Sequence, residues 1–137
     1  RLLQLGVLLF LIGLLTGFAV PMLANPRMGL ASHLEGIMNG TFLVLLGLLW
    51  PRLNLSRTTL MITFGLAVYG AFANWAATLL ASWWGAGASM PIAAAGQHGT
   101  QAQEAIINLL LFSLSFAMIM VCVFALWGLR GSGAPKG

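Results

Sequence analysis

Three ionisable side chains, His33, Glu35 and Glu104, stand in stretches otherwise built from leucine, alanine, isoleucine and phenylalanine. Asn39, Asn74, Thr78 and Asn108 accompany them as uncharged polar groups. Carboxylates and an imidazole in apolar surroundings suit proton transfer or metal ligation, and in a membrane helix they face a protein interior or a functional cavity. At about 100° per residue, Glu35 and Asn39 share one helix face. His33 lies roughly 120° away from Asn39 and shares its face with Gly36, Ile37 and Gly40. An imidazole beside two glycines suggests a shallow slot for a flat ring, and neutral imidazole is a good ligand for haem iron. Each residue also has a plain structural reading. His33 suits a helix start at an interface, and Glu35 suits a capping box with Ser32. Glu104 suits the positive end of a helix. Asn39 and Asn74 suit hydrogen-bond glue between helices, and Gly36 and Gly40 suit close packing.

These residues must be carried by membrane-spanning helices. Of the 137 residues, 60% are hydrophobic and 6% are charged. A soluble domain carries about 25% charged residues, so most of this surface faces lipid. Four stretches reach the ~20 apolar residues that a bilayer requires. They are residues 2–23, a second ending at Trp50-Pro51, a third from about 57 to 84 and a fourth from about 103 to 129. The second has two candidate starts, Asn25-Pro26 and the box Ser32-His33-Leu34-Glu35, and sequence does not choose between them. The expectation is an all-α membrane protein, four transmembrane helices in an antiparallel bundle. Residues 1–131 form one domain, and residues 132–137 form a flexible C-terminal tail. The longest loop covers about residues 85–102, where glycines and Pro91 cluster. At ~1.5 Å per residue, Asn74 lies roughly 25 Å along its helix. His33, Glu104 and Asn108 then fall in the same half of the membrane.

Arg1, Arg52, Arg57, Arg130 and Lys136 fall on one side of this topology, and only Arg27 on the other. The positive-inside rule places both termini in the cytoplasm. The basic residues are too few and too scattered for a nucleic-acid surface. The single cysteine, Cys122, forms no intrachain disulfide. No Walker motif, HExxH, CxxC or serine nucleophile elbow is present. Gly13-x-x-x-Gly17 and Gly36-x-x-x-Gly40 offer close-packing faces of the kind that support oligomer formation.

The segments LLQLGVLLFLIGLLTGFAVPMLANPRMGLASHLEGIMNG, YGAFANWAATLLASWWGAG and QEAIINLLLFSLSFAMIMVCVFALWGLRG resemble the hydroxylaminobenzene mutase family along nearly the whole chain. That resemblance implies conversion of hydroxylaminobenzene to 2-aminophenol in nitroarene breakdown. The chain is also similar, more distantly, to styrene oxide isomerase, a four-span trimer holding haem b at subunit interfaces. There the axial histidine is followed six residues later by asparagine and then glycine, and His33, Asn39 and Gly40 match this spacing. A second asparagine matches Asn74, whereas the active-site tyrosine falls at Thr78. This departure weighs against epoxide isomerisation.

The resemblance implies a mechanism. His33 would ligate haem b beside Gly36 and Gly40, with ferric iron as Lewis acid. Asn39 and Asn74 would orient the hydroxylamino group, and Glu35 or Glu104 would relay protons. Phe72, Trp75 and Phe112 would surround the aromatic ring. Three alternatives remain open at this point. One is epoxide-to-aldehyde isomerisation, and another is a non-catalytic haem subunit. The third is a small four-helix transporter, although residues 2–23 lack the acidic residue such transporters use.

Overall fold

The computed structural model describes residues 1–130. The expected boundary at residue 131 and the tail at 132–137 lie outside the described residues. Five α-helices follow in order among the described residues: α1 (Leu2–Ala19), α2 (Pro26–Leu49), α3 (Arg57–Trp84), α4 (Pro91–Ala94) and α5 (Gln101–Leu129). The four long ones are each apolar and long enough to cross a membrane. They form the expected all-α bundle, in which α1 packs on α2, α2 on α3, and α3 on α5. No strand occurs among the described residues.

Local chemistry sets the helix ends. Asn25 caps α2, its side chain accepting the Met28 N–H at 3.1 Å, and Pro26 needs no donor at the first helical position. The earlier of the two candidate starts is therefore used. Ser32 lies within α2 and donates to the Trp75 carbonyl at 3.1 Å. Ser56 caps α3, and Gly85 ends it in the left-handed conformation at φ 64°. Thr100 and Gln103 form a capping box at the start of α5, two residues before the expected start. The four-residue α4, inside the expected loop, is too short to leave a periodic signal.

Packing relies on small residues. Gly13 and Gly36 meet so closely that a Cβ on Gly36 would stand 2.5 Å from Gly13 Cα. A Cβ on Gly40 would stand 2.6 Å from the Phe10 amide nitrogen. Backbone contact of this kind gains dispersion where lipid provides no hydrophobic drive. Ala67, Ala71, Ala77 and Ala81 are buried along α3 and serve the same purpose there. Leu9, Leu43, Ala67, Ala71 and Val121 form the main core. A second cluster, Met28, Ala81, Ala86, Ala94 and Ile107, lies beneath α4. Large apolar side chains such as Phe18, Leu109 and Phe112 point outward, as lipid-facing residues do.

Candidate functional site

Glu35 is the meeting point of α2 and α3. Its Oε2 accepts Asn39 Nδ2 at 2.9 Å and Asn74 Nδ2 at 2.6 Å. Asn39, one turn along the same helix, also donates to the Glu35 carbonyl at 2.9 Å. Oε1 has no hydrogen-bond partner among the described residues, and no buried side-chain polar atom there lacks one, so Oε1 is accessible. The capping-box reading of Glu35 does not hold, because α2 begins nine residues earlier, at Pro26.

Glu35 opens into a pocket of about 510 Å³, with Asn74 and Thr78 on the same wall. Ala31 and Leu111 contribute apolar surface. The segment Ser89–Ala93 also lines the pocket. Thr78 donates its hydroxyl back to the helix, 3.0 Å from both the Asn74 and Trp75 carbonyls. The aromatic residues expected around a substrate ring are elsewhere. Trp75 ties α3 to α1 through Nε1–H donated to Thr16 Oγ1 at 3.0 Å. Phe72 packs on the main core, and Phe112 points outward.

His33 looks away from this pocket. It lies two residues before Glu35, roughly 200° around the helix. Its Nδ1 donates to the Gly13 carbonyl at 2.7 Å, because a carbonyl only accepts. In the neutral ring this leaves the lone pair on Nε2, which has no protein partner among the described residues and is accessible. Gly17 makes room for the ring, since a Cβ there would lie 2.8 Å from His33 Nδ1. The expected slot beside Gly36 and Gly40 is not open. Both glycines are buried against the α1 backbone, so the first helix occupies the space proposed for a flat ring.

Glu104 does not join Glu35. Its oxygens accept the backbone N–H groups of Gly87 (3.0 Å), Ala88 (2.9 Å) and Gly99 (2.8 Å). Asn108 accepts a hydrogen bond from Ser89. The polar residues of three helices thus separate into a pocket group and a loop-holding group. Sequence reasoning missed Gly13 and Gly17 as partners of the imidazole, and Ser89–Ala93 as a pocket wall. The glycine motif was visible but pointed only to packing.

A family model for styrene oxide isomerase matches residues 1–130. The chain belongs to that family. Hydroxylaminobenzene mutase HabB of Ectopseudomonas oleovorans is 62% identical over 137 residues, covering 99% of this chain and 84% of the relative. Hydroxylaminobenzene mutase HabA of the same organism is 47% identical over 125 residues, covering 90% of this chain and 93% of that protein. No solved structure matches this chain. Membership makes the chain an enzyme of the isomerase, or intramolecular transferase, class. The non-catalytic and transporter readings fall away.

Proposed function

We infer that this chain is a membrane-bound mutase converting hydroxylaminobenzene to 2-aminophenol. Substrate and product are isomers. The N–O bond breaks and a C–O bond forms at the adjacent ring carbon. That carbon releases one proton and the nitrogen gains one, so no oxidant or reductant is consumed. The observation carrying this reading is the asymmetric carboxylate of Glu35. Asn39 and Asn74 hold one oxygen, and the other is free at a largely apolar pocket. Such a group has one oxygen for position and one for moving a proton. Glu35 takes the ring proton and returns it to nitrogen. The Asn39 and Asn74 amide nitrogens are already engaged by Glu35, so these residues orient the carboxylate first. The Asn74 side-chain oxygen, Oδ1, remains for the substrate N–H. Apolar walls limit exchange of the migrating hydroxyl with water.

The α1–α2 contact is closed at Gly36 and Gly40, so what supports a haem b is His33 alone, whose accessible Nε2 would hold the iron. The Gly13 carbonyl fixes the imidazole tautomer, as second partners of ligating histidines do, and leaves Nε2 to bind iron. Among the described residues, no three His, Cys, Asp or Glu side chains converge on a bare ion, whereas a macrocycle brings its own nitrogens. Bound there, ferric haem b would supply a Lewis acid that weakens the N–O bond. His33 and Glu35 occupy different faces of α2, which supports a site completed by a second copy, within the homotrimer that the family resemblance implies. Arg1, Arg52, Arg57 and Arg130 mark the cytoplasmic end, and the pocket opens in the outer half of the bacterial inner membrane.

The test is purified protein in detergent, given hydroxylaminobenzene and, separately, styrene oxide. Formation of 2-aminophenol with a Soret band supports the reading. Turnover of styrene oxide alone favours epoxide isomerisation instead, and active protein lacking a Soret band removes haem from the proposal.

A further inference from the structure

The segment between α3 and α5 is fastened by side chains on both flanks. Glu104 Oε1 accepts N–H groups from Gly87 and Gly99, and Oε2 accepts from Ala88. One carboxylate therefore joins the beginning of the segment, its end and the first turn of α5. On the other flank, Asn25 Nδ2 donates to the Ala94 carbonyl at 2.9 Å. Asn25 itself is fixed by Ser82, whose hydroxyl donates to the Asn25 carbonyl at 2.7 Å. Between these ties stand Ser89, Met90, Pro91, Ile92 and Ala93, which line the same pocket as Glu35 and Thr78. A four-residue helix has no stability of its own, so its position depends on such ties. Three backbone donors converging on one anion make charge-assisted bonds, the strongest of the set.

We propose that Glu104 is a positioning residue for substrate binding, acting through this cap and not through proton transfer. The proposal rests on the reading of the pocket as the substrate site. With the carboxylate removed, three backbone donors lose their acceptor and the cap moves outward. The pocket widens and grips the aromatic ring less well. The Glu35–Asn39–Asn74 group, on α2 and α3, keeps its geometry. Ground-state and transition-state binding then weaken together, which raises KM and spares kcat. A proton relay at Glu104 would show the reverse, a fall in kcat at similar KM.

The experiment measures kcat and KM for hydroxylaminobenzene in the full chain, with amide hydrogen exchange over residues 86–99. Wild type, Glu104→Ala, Glu104→Gln and Glu35→Gln are compared. Glu104→Ala is expected to raise KM about tenfold, hold kcat within about twofold and speed exchange across the cap. Glu104→Gln keeps one acceptor oxygen and should fall between it and wild type. It carries the test alone if the alanine variant does not fold. Faster exchange with unchanged KM overturns the proposal, as does a collapse of kcat at wild-type KM. Glu35→Gln separates the two levels. If it turns over like wild type, the pocket reading fails and this proposal falls with it. If it is silent with an undisturbed cap, a negative result at Glu104 counts against the cap alone.

Discussion

Asn74 on α3 donates its side-chain amide to the Glu35 carboxylate on α2 across 2.6 Å, inside a bundle whose other helix contacts are mostly apolar. The bond fixes the rotation of one helix against the other and leaves the second carboxylate oxygen open to the pocket. Replacing Asn74 with leucine removes it while keeping the side chain's approximate size. The helix pair should lose about 1 kcal/mol, the scale of interhelical hydrogen bonds in membranes. Turnover should fall more steeply than stability, because Glu35 then swings on Asn39 alone. Thermal unfolding in detergent and initial rates, measured on one preparation, separate the two effects.

Glu35→Gln tests the proton-carrying role directly. The amide keeps the shape and an oxygen acceptor for Asn39 and Asn74, but does not cycle a proton. A loss of roughly a hundredfold or more in kcat is expected, the usual contribution of a positioned general acid–base. A variant folded like wild type and losing less than about threefold would remove Glu35 from the chemistry.

His33→Ala should abolish the Soret band and activity together. Gly17→Ala is the subtler probe. Its new methyl would lie 2.8 Å from His33 Nδ1 and must displace the ring or its Gly13 bond. The expected result is lower haem occupancy or a shifted Soret maximum in a protein that still folds. An unaltered spectrum and unaltered haem content would show that the ring's place against α1 does not govern ligation.

Two glycines should respond oppositely to alanine. Gly36→Ala drives a methyl carbon to 2.5 Å from Gly13 Cα, backbone that cannot rotate away. Overpacking of this kind costs about 1–3 kcal/mol. Gly65 on α3 has nothing within 4 Å of a Cβ, so Gly65→Ala should be neutral or stabilise by up to about 1 kcal/mol through helix propensity. Melting temperatures of the two variants in one detergent check the contrast.

The four spans were legible because charge scarcity and run length are properties of sequence alone. The start of α2 was not, because Asn25-Pro26 and the box at Ser32 are both sound local chemistry. Tertiary partners decide it: Asn25 is fixed by Ser82 and reaches Ala94, and Ser32 is taken by the Trp75 carbonyl. Periodicity placed Glu35 with Asn39, and their hydrogen bond follows from that. It also placed His33 with Gly36 and Gly40, yet a helical wheel does not say what a face meets. Here the face meets α1. Glu104 was singled out as an acid near a helix start, but its partners are backbone amides, which have no signature in side-chain sequence.

Among the described residues, Arg27 is the one Lys or Arg at the pocket end of the molecule, and the pocket's rim includes Ile92, an outward-pointing apolar residue on the cap. The neutral arylhydroxylamine proposed as substrate would meet little long-range field to guide it here, so ionic strength should hardly change its capture rate. Solubility in the surrounding lipid takes over that guiding part. Ring substituents that favour partition into the bilayer should raise the apparent second-order rate constant even where they do nothing for the bond rearrangement itself.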